Sequence, residues 1–172
     1  MNPGAKNQPR QNHPKLKGMP RQVRHILVPT DFSPISRKAM RYAQHFRAPV
    51  TLLHVIPPLV YEADYGYGVV TRRITDPAVE GEAQRRVRSI TRGKAKPACK
   101  WQPLVRCGSA VEEIVQAARQ LKTDLIVMGE SGAKHGELSQ ALTTAQQTAR
   151  HVPCPVLVVR EHGTELLKNR KD

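Results

Sequence analysis

Apolar residues recur along this chain in two rhythms, short unbroken runs and runs spaced by three or four, and the two alternate. HILVP at residues 25–29 is a run of strand length, and the TDFSP that follows is a turn rich in helix N-cap residues. Residues 36–46 then place Ala39, Met40, Ala43 and Phe46 toward one helical face and leave Arg37, Lys38 and Arg41 on the other. After Ala48-Pro49, VTLLHVI is apolar almost throughout, as a strand covered on both faces must be. Residues 57–76, with PPLVYEADYGYGVV at their heart, combine tyrosines and glycines, and they predict a surface loop or lid. Thr75-Asp76-Pro77 is a helix start, and Val79, Ala83, Val87 and Ile90 follow at helical spacing to an end near Gly93.

A weaker strand covers residues 100–106. GSAVEEIVQAARQL then pairs Ser109 with Glu112 in a capping-box pattern and gives an apolar face of Val111, Ile114, Val115, Ala118 and Leu121. DLIVM at 124–128 is a buried strand, residues 138–151 form a helix, and PVLVVR at 155–160 is a last strand. This alternation predicts an α/β three-layer sandwich around a mostly parallel five-stranded sheet with right-handed crossovers. In such sheets ligands sit beyond the carboxyl ends of the strands, where the strand order reverses. The turns PTDFS, VIPP and GESG are therefore the places where a site is expected.

The 172 residues are enough for one domain. Lys plus Arg number 28 against 14 Asp plus Glu, a net charge of +14 that favours phosphate-bearing or anionic partners. Much of that excess lies outside the apolar elements. Residues 1–22 carry Lys6, Arg10, Lys15, Lys17 and Arg21 among Pro, Gly, Asn and Gln and read as a disordered basic tail; residues 23–160 are the domain, and 161–172 a charged C-terminal tail. Cys99, Cys107 and Cys154 are an odd number without C-x-x-C spacing, which argues against a disulfide framework and a zinc site. With no targeting signal and no apolar run near the roughly 20 residues a membrane span needs, the expectation is a cytoplasmic protein with no membrane contact.

The chain contains no G-x-S-x-G, no H-E-x-x-H and no G-x-x-x-x-G-K-[ST], so dedicated catalysis is not expected. His54, inside an apolar strand, reads as a hydrogen-bonded core histidine, and His135 lacks a second ligand at i+4 for a metal. The stretch GESGAKHGELSQALTT at 129–144 has the look of a glycine-rich phosphate loop opening a helix. On residue types alone Asp31 is equally a helix cap, Gly129 and Gly132 equally turn formers, and Leu142 equally core, in the stripe Leu138, Leu142, Ala145 and Ala149.

ILVPTDFS at 26–33, LLHV at 52–55, DLIVMG at 124–129 and RHVPCPVLVVR at 150–160 together resemble the universal stress protein family, of the UspA type, across residues 23–160. The resemblance implies a Rossmann-like, adenine nucleotide alpha hydrolase-like fold and a stress-associated role. It also implies a homodimer paired through the last strand, 155–160. In the nucleotide-binding branch of that family, an Asp after the first strand and a loop G-x2-G-x9-G-[ST] hold ATP with Mg. Position by position, Pro29, Thr30 and Asp31 match the first-strand motif, Val55 the adenine-contacting residue, and Met128, Gly129 and Gly132 the start of the phosphate loop. Leu142 stands where the third glycine belongs, and Thr143 at the hydroxyl position after it.

Two departures bear on occupancy. Leu142 crowds the place where phosphate approaches the chain and, at positive φ, would add about 1 to 2 kcal/mol. Glu130 at about 4 Å from a phosphate would repel it by roughly 1 to 4 kcal/mol, partly offset by Lys134 and His135. The expected function is therefore a non-catalytic stress-response or signalling module with ATP binding weak or absent and an unidentified protein partner. An ATP-binding switch is the second reading. A nucleic-acid-associated protein, using the basic tail and Arg85, Arg86, Arg88 and Arg92, is the third and rests on charge alone.

Overall fold

The computed structural model describes residues 23–64, 69–94, 99–130 and 143–161, with backbone only for 60–64 and 69–74. Five strands form one parallel sheet: β1 (Ile26–Pro29), β2 (Val50–Ile56), β5 (Trp101–Cys107), β6 (Leu125–Gly129) and β7 (Val156–Val159), in the order β5-β2-β1-β6-β7. Between them run α1 (Pro34–Gln44), α2 (Pro77–Lys94), α3 (Ala110–Gln120) and α4 (Thr144–His151). Alternate side chains of the central strands feed two cores, as the period of two in a strand requires. Ile26, Val28, Val50, Leu52 and Val127 meet Ala39, Met40 and Ala43 of α1 and Val87 of α2 on one face. Leu27, Leu53, Ile126 and Met128 meet Ile114, Ala117 and Ala118 of α3 and Ala145 of α4 on the other. The result is the expected three-layer α/β sandwich.

Strand order reverses between β1 and β6, and the two strands part there. β1 pairs with β2 along its whole length, from Ile26 opposite Val50 to Pro29 opposite Leu53. Its pairing with β6 stops after Ile26–Leu125 and Leu27–Ile126. Beyond that point the ladder continues separately on each side, through the Thr30 amide to the Leu53 carbonyl (2.8 Å) and the Glu130 amide to the Val159 carbonyl (2.8 Å). The opposite end of the split is closed by Asp124, whose carboxylate accepts the backbone amides of Arg24 (2.9 Å) and His25 (3.0 Å). The His25 ring adds hydrogen bonds to the Leu121 carbonyl (3.0 Å) and the Thr51 hydroxyl (2.9 Å).

Several sequence expectations change. Where a loop was expected over 57–76, β3 (Leu59–Asp64) and β4 (Val69–Ile74) pair antiparallel apart from the main sheet; residues 65–68 lie outside the described set. The segment's β-branched and aromatic residues suit a ladder, which the Tyr/Gly content obscured. Phe46 and Val79, both assigned to buried faces, are exposed. Phe46 lies beyond the C-cap His45 of α1, and Val79 lies in the first turn of α2. Ala149 is also exposed, and Thr148 takes the buried place beside Ala145. The capping box expected at Ser109 does not form, because the Ser109 side chain makes no cap hydrogen bond. That turn is set instead by Gly108, at φ +152°, whose amide donates to the Ile56 carbonyl at 3.0 Å. A capping box does form at α4, where the Thr143 hydroxyl accepts the Gln146 amide and the Gln146 side chain accepts the Thr143 amide. The helix expected over 138–151 is described from Thr144 on; residues 138–142 lie outside the described set.

Candidate functional site

The parting of β1 and β6 opens a cleft of about 160 Å³ at the carboxyl end of the sheet. Pro29, Thr30 and Asp31 line it from the end of β1, Leu53, His54 and Val55 from β2, and Met128 and Gly129 from β6. Three helices contribute their first residues: Ile35 and Ser36 of α1, Ala110 of α3 and Thr144 of α4. Unpaired amides at helix N-termini carry partial positive charge, so the cleft has an anion-favouring wall. Among the described lining residues there is no Lys or Arg, and Asp31 is the one carboxylate.

The PTDFS turn is held by its own side chains. The buried Thr30 hydroxyl shares a hydrogen bond with the Ser36 hydroxyl (3.0 Å) and accepts the Phe32 amide (3.0 Å). Ser33, not Asp31, is the N-cap of α1 and accepts the Ser36 amide at 3.2 Å. Asp31 instead accepts the Ser33 amide at 2.9 Å, a turn of the Asx type. Burial pushes the Asp31 carboxyl up, but hydrogen bonds from the Ser33 hydroxyl and amide and from the Ser36 hydroxyl outweigh it, so its pKa falls below the ordinary 3.8. Asp31 therefore presents a carboxylate at the rim of the cleft at neutral pH.

Phe32 adopts φ 65°, a left-handed conformation that costs a non-glycine residue about 1 to 2 kcal/mol. Its ring lies 4.3 Å from the His54 ring at a tilt of 33°, and the Arg86 guanidinium sits 4.1 Å from its centroid. The Phe32 carbonyl also accepts from Arg37 at 3.2 Å. His54 is hydrogen-bonded as the sequence suggested, its Nδ1–H donating to the Thr30 carbonyl at 2.8 Å, but it is only half-buried and lines the cleft. Nothing in the apolar run around His54 signals that its place is at the strand's open end.

Gly129 has a packing reason that sequence reading missed. A Cβ there would lie 3.1 Å from the Ile35 backbone carbonyl carbon and 3.1 Å from its Cγ2, tighter than ordinary contact, so any other residue would need the first turn of α1 to give by a few tenths of an ångström. Glu130 is not directed at the cleft as expected. It pairs with Arg160 at 2.8 Å, over the end of β7, and is absent from the cleft lining. Of the other candidates, Thr143 caps α4 just outside the lining, while Gly132, Lys134, His135 and Leu142 lie outside the described residues. Cys154 is held as a neutral thiol, its pKa raised by burial and then by the Asp124 charge. No group of three or more metal-ligating side chains occurs among the described residues, and no helix there is long and apolar enough to cross a membrane.

Residues 22–160 match the family model described as the universal stress protein family. The chain belongs to that family. A universal stress protein of Methanocaldococcus jannaschii is 26% identical over 147 residues, covering 81% of this chain and 84% of that protein. Among solved structures, universal stress protein UspA from Lactobacillus plantarum superposes with a TM-score of 0.61 at 23% identity, over 81% of this chain and 99% of that one. A family member from Arabidopsis thaliana, solved with AMP bound, has a TM-score of 0.53 at 14% identity, over 87% of this chain and 99% of that one. These structural likenesses confirm the Rossmann-like universal stress protein fold.

Two outcomes test the site geometry. Gly129→Ala should lower the unfolding free energy by about 1 kcal/mol in urea denaturation, because the Ile35 backbone as well as its side chain would have to give by a few tenths of an ångström; a neutral effect would mean that α1 is free to shift. Asp31, with a lowered folded-state pKa, adds stability that is present above 3.8 and lost as pH falls through its folded-state value. The stability difference between the native protein and Asp31→Asn should therefore shrink as pH falls from about 5 to about 2.5. A difference constant over that range would remove the ionised form from the account.

Proposed function

We propose that this universal stress protein is a non-catalytic stress-response module whose cleft takes an adenine nucleotide weakly. The observation that carries the reading is the convergence of three helix N-termini on one cleft beside the Asp31 carboxylate. Such a cleft offers amide donors to phosphate and a carboxylate acceptor to ribose hydroxyls, with Val55, Leu53 and Met128 as apolar surface for a base. The pairing of Glu130 with Arg160 removes one of the two objections to phosphate. The other, Leu142, remains, and the cleft lining adds a second. No cation lines the cleft among the described residues, and Leu142 replaces the third loop glycine. Mg would arrive with the nucleotide, since Asp31 alone is a poor resident metal site.

The non-catalytic reading rests on the polar groups themselves. Thr30, Ser36 and the Nδ1 of His54 are engaged in hydrogen bonds that hold the turn, and the Ser33 hydroxyl beside Asp31 serves as the N-cap of α1. For assembly, β7 is an edge of the sheet, and Val158 on it is 37% exposed. An open edge strand is a template for a second copy, which supports a homodimer through residues 155–160.

Calorimetric titration with ATP, AMP and Mg-ATP tests the site. Binding in the range of about 0.1 to 1 mM is expected, with Leu142→Gly at least about tenfold tighter, equivalent to about 1.4 kcal/mol. Micromolar affinity in the native chain would favour an ATP switch, and no binding by either protein would overturn the nucleotide reading. In analytical ultracentrifugation, Val158→Asp should convert a dimer to a monomer; an unchanged dimer would place the interface elsewhere.

A further inference from the structure

The two helical layers differ in charge. On the face covered by α1 and α2, α1 carries Arg37, Lys38 and Arg41 with no acid. α2 carries Arg85, Arg86, Arg88, Arg92 and Lys94, against Glu80 and Glu82 near its start. The opposite layer is balanced, with Glu112 and Glu113 of α3 against Arg119 of α3 and Arg150 of α4. The excess is therefore one-sided, a fact invisible until the two helices are known to share a face.

Ion pairs among the described residues leave four of these cations unused. Arg41, Arg85, Arg88 and Arg92 are exposed and make no ion pair with a described residue. The cations also crowd one another: the Lys94 ammonium has its pKa lowered by burial and then by the charge of Arg41 across the helix pair. Cations in a last helical turn, such as Arg92 and Lys94, complement the helix dipole. Arg85 and Arg88 sit mid-helix, where that reason is absent. At spacing i, i+3 and i+7, Arg85, Arg88 and Arg92 form one stripe about 10 Å long.

We propose that the exposed α1–α2 layer is a sequence-independent docking surface for the phosphate backbone of a nucleic-acid duplex. Duplex DNA presents one negative charge per ~1.7 Å of its axis, a dense complement to a stripe of exposed cations. Guanidinium groups, which dominate here over lysine, bind phosphate oxygens in pairs. A membrane surface fits less well, because Ala39, Met40, Ala43, Ala83 and Val87 of these helices are buried in the core, and the exposed Phe46 and Val79 stand singly, one past the end of α1 and one in the first turn of α2.

The test uses the full chain, a labelled random-sequence DNA duplex of about 30 base pairs, and fluorescence anisotropy at salt between about 50 and 200 mM. Native protein should bind with a dissociation constant of about 1 to 100 µM at the lower salt. Replacing Arg85, Arg88 and Arg92 together by Gln should weaken binding at least about tenfold and reduce the salt slope by about 2 to 3. A tail variant, Lys6→Gln with Lys15→Gln and Lys17→Gln, should lose less. Circular dichroism melting checks that each variant is folded, and Arg41→Gln with Arg88→Gln is the second helix variant if the first is not. The proposal is overturned if the tail variant alone loses binding, if the helix variants bind as the native chain does, or if the duplex does not bind. Retention on vesicles containing about a third phosphatidylserine, without duplex binding, would assign the layer to an anionic membrane instead.

Discussion

At the end of β6, Gly129 admits the first turn of α1 so closely that a single added carbon would lie 3.1 Å from the Ile35 backbone. The rest of the cleft is arranged around that contact. α1 starts where β1 and β6 have stopped pairing after Leu27 and Ile126, and its first turn forms one wall of the cleft between their ends. The same approach brings Ser36 to the Thr30 hydroxyl, which fixes the turn from which Asp31 projects. A glycine that looks like part of a phosphate loop thus also has a packing role against α1.

Strain and its compensation meet at the neighbouring position. Phe32 is held at φ 65° by a ring stack on His54 and by Arg86 of α2, and its carbonyl is held by Arg37 of α1. A left-handed phenylalanine persists only where surrounding contacts over-determine it. Here the contacts come from β2 and from both helices of one layer, so the turn carrying Asp31 is tied to elements far apart in sequence. On the other side of the cleft, Glu130 and Arg160 join the end of β6 to the end of β7. The Glu130 carboxylate is thus paired at the sheet edge and not turned into the cleft.

The legible parts were those governed by local periodicity. The runs ILVP, VTLLHVI and LIVM became strands, the spacing of Ala39, Met40 and Ala43 marked the buried face of α1, and the four ordered motifs carried the family. What failed did so for identifiable reasons. The hairpin β3–β4 was hidden because tyrosine and glycine serve loops and ladders alike. The S-x-x-E pattern at Ser109 and the T-x-x-Q pattern at Thr143 are equivalent as strings, yet only the second closes a capping box, because Gly108 sets the turn before α3 by backbone conformation instead. Asp31 lost the cap to Ser33 because a chain with several eligible residues in a row does not say which will face the first helical amides.

By itself the sequence determined the alternation of strands and helices, the parallel sheet, the family, and the residues at the ends of β1, β2 and β6. These follow from apolar period and from motif spacing, both of which are properties of neighbours along the chain. Tertiary structure alone decided the direction of the Glu130 carboxylate, the close seat of α1 on Gly129, and the stack around Phe32. It also decided that the cations of α1 and α2 share one face. Each of these depends on which elements are neighbours in space, and strand order β5-β2-β1-β6-β7 sets that.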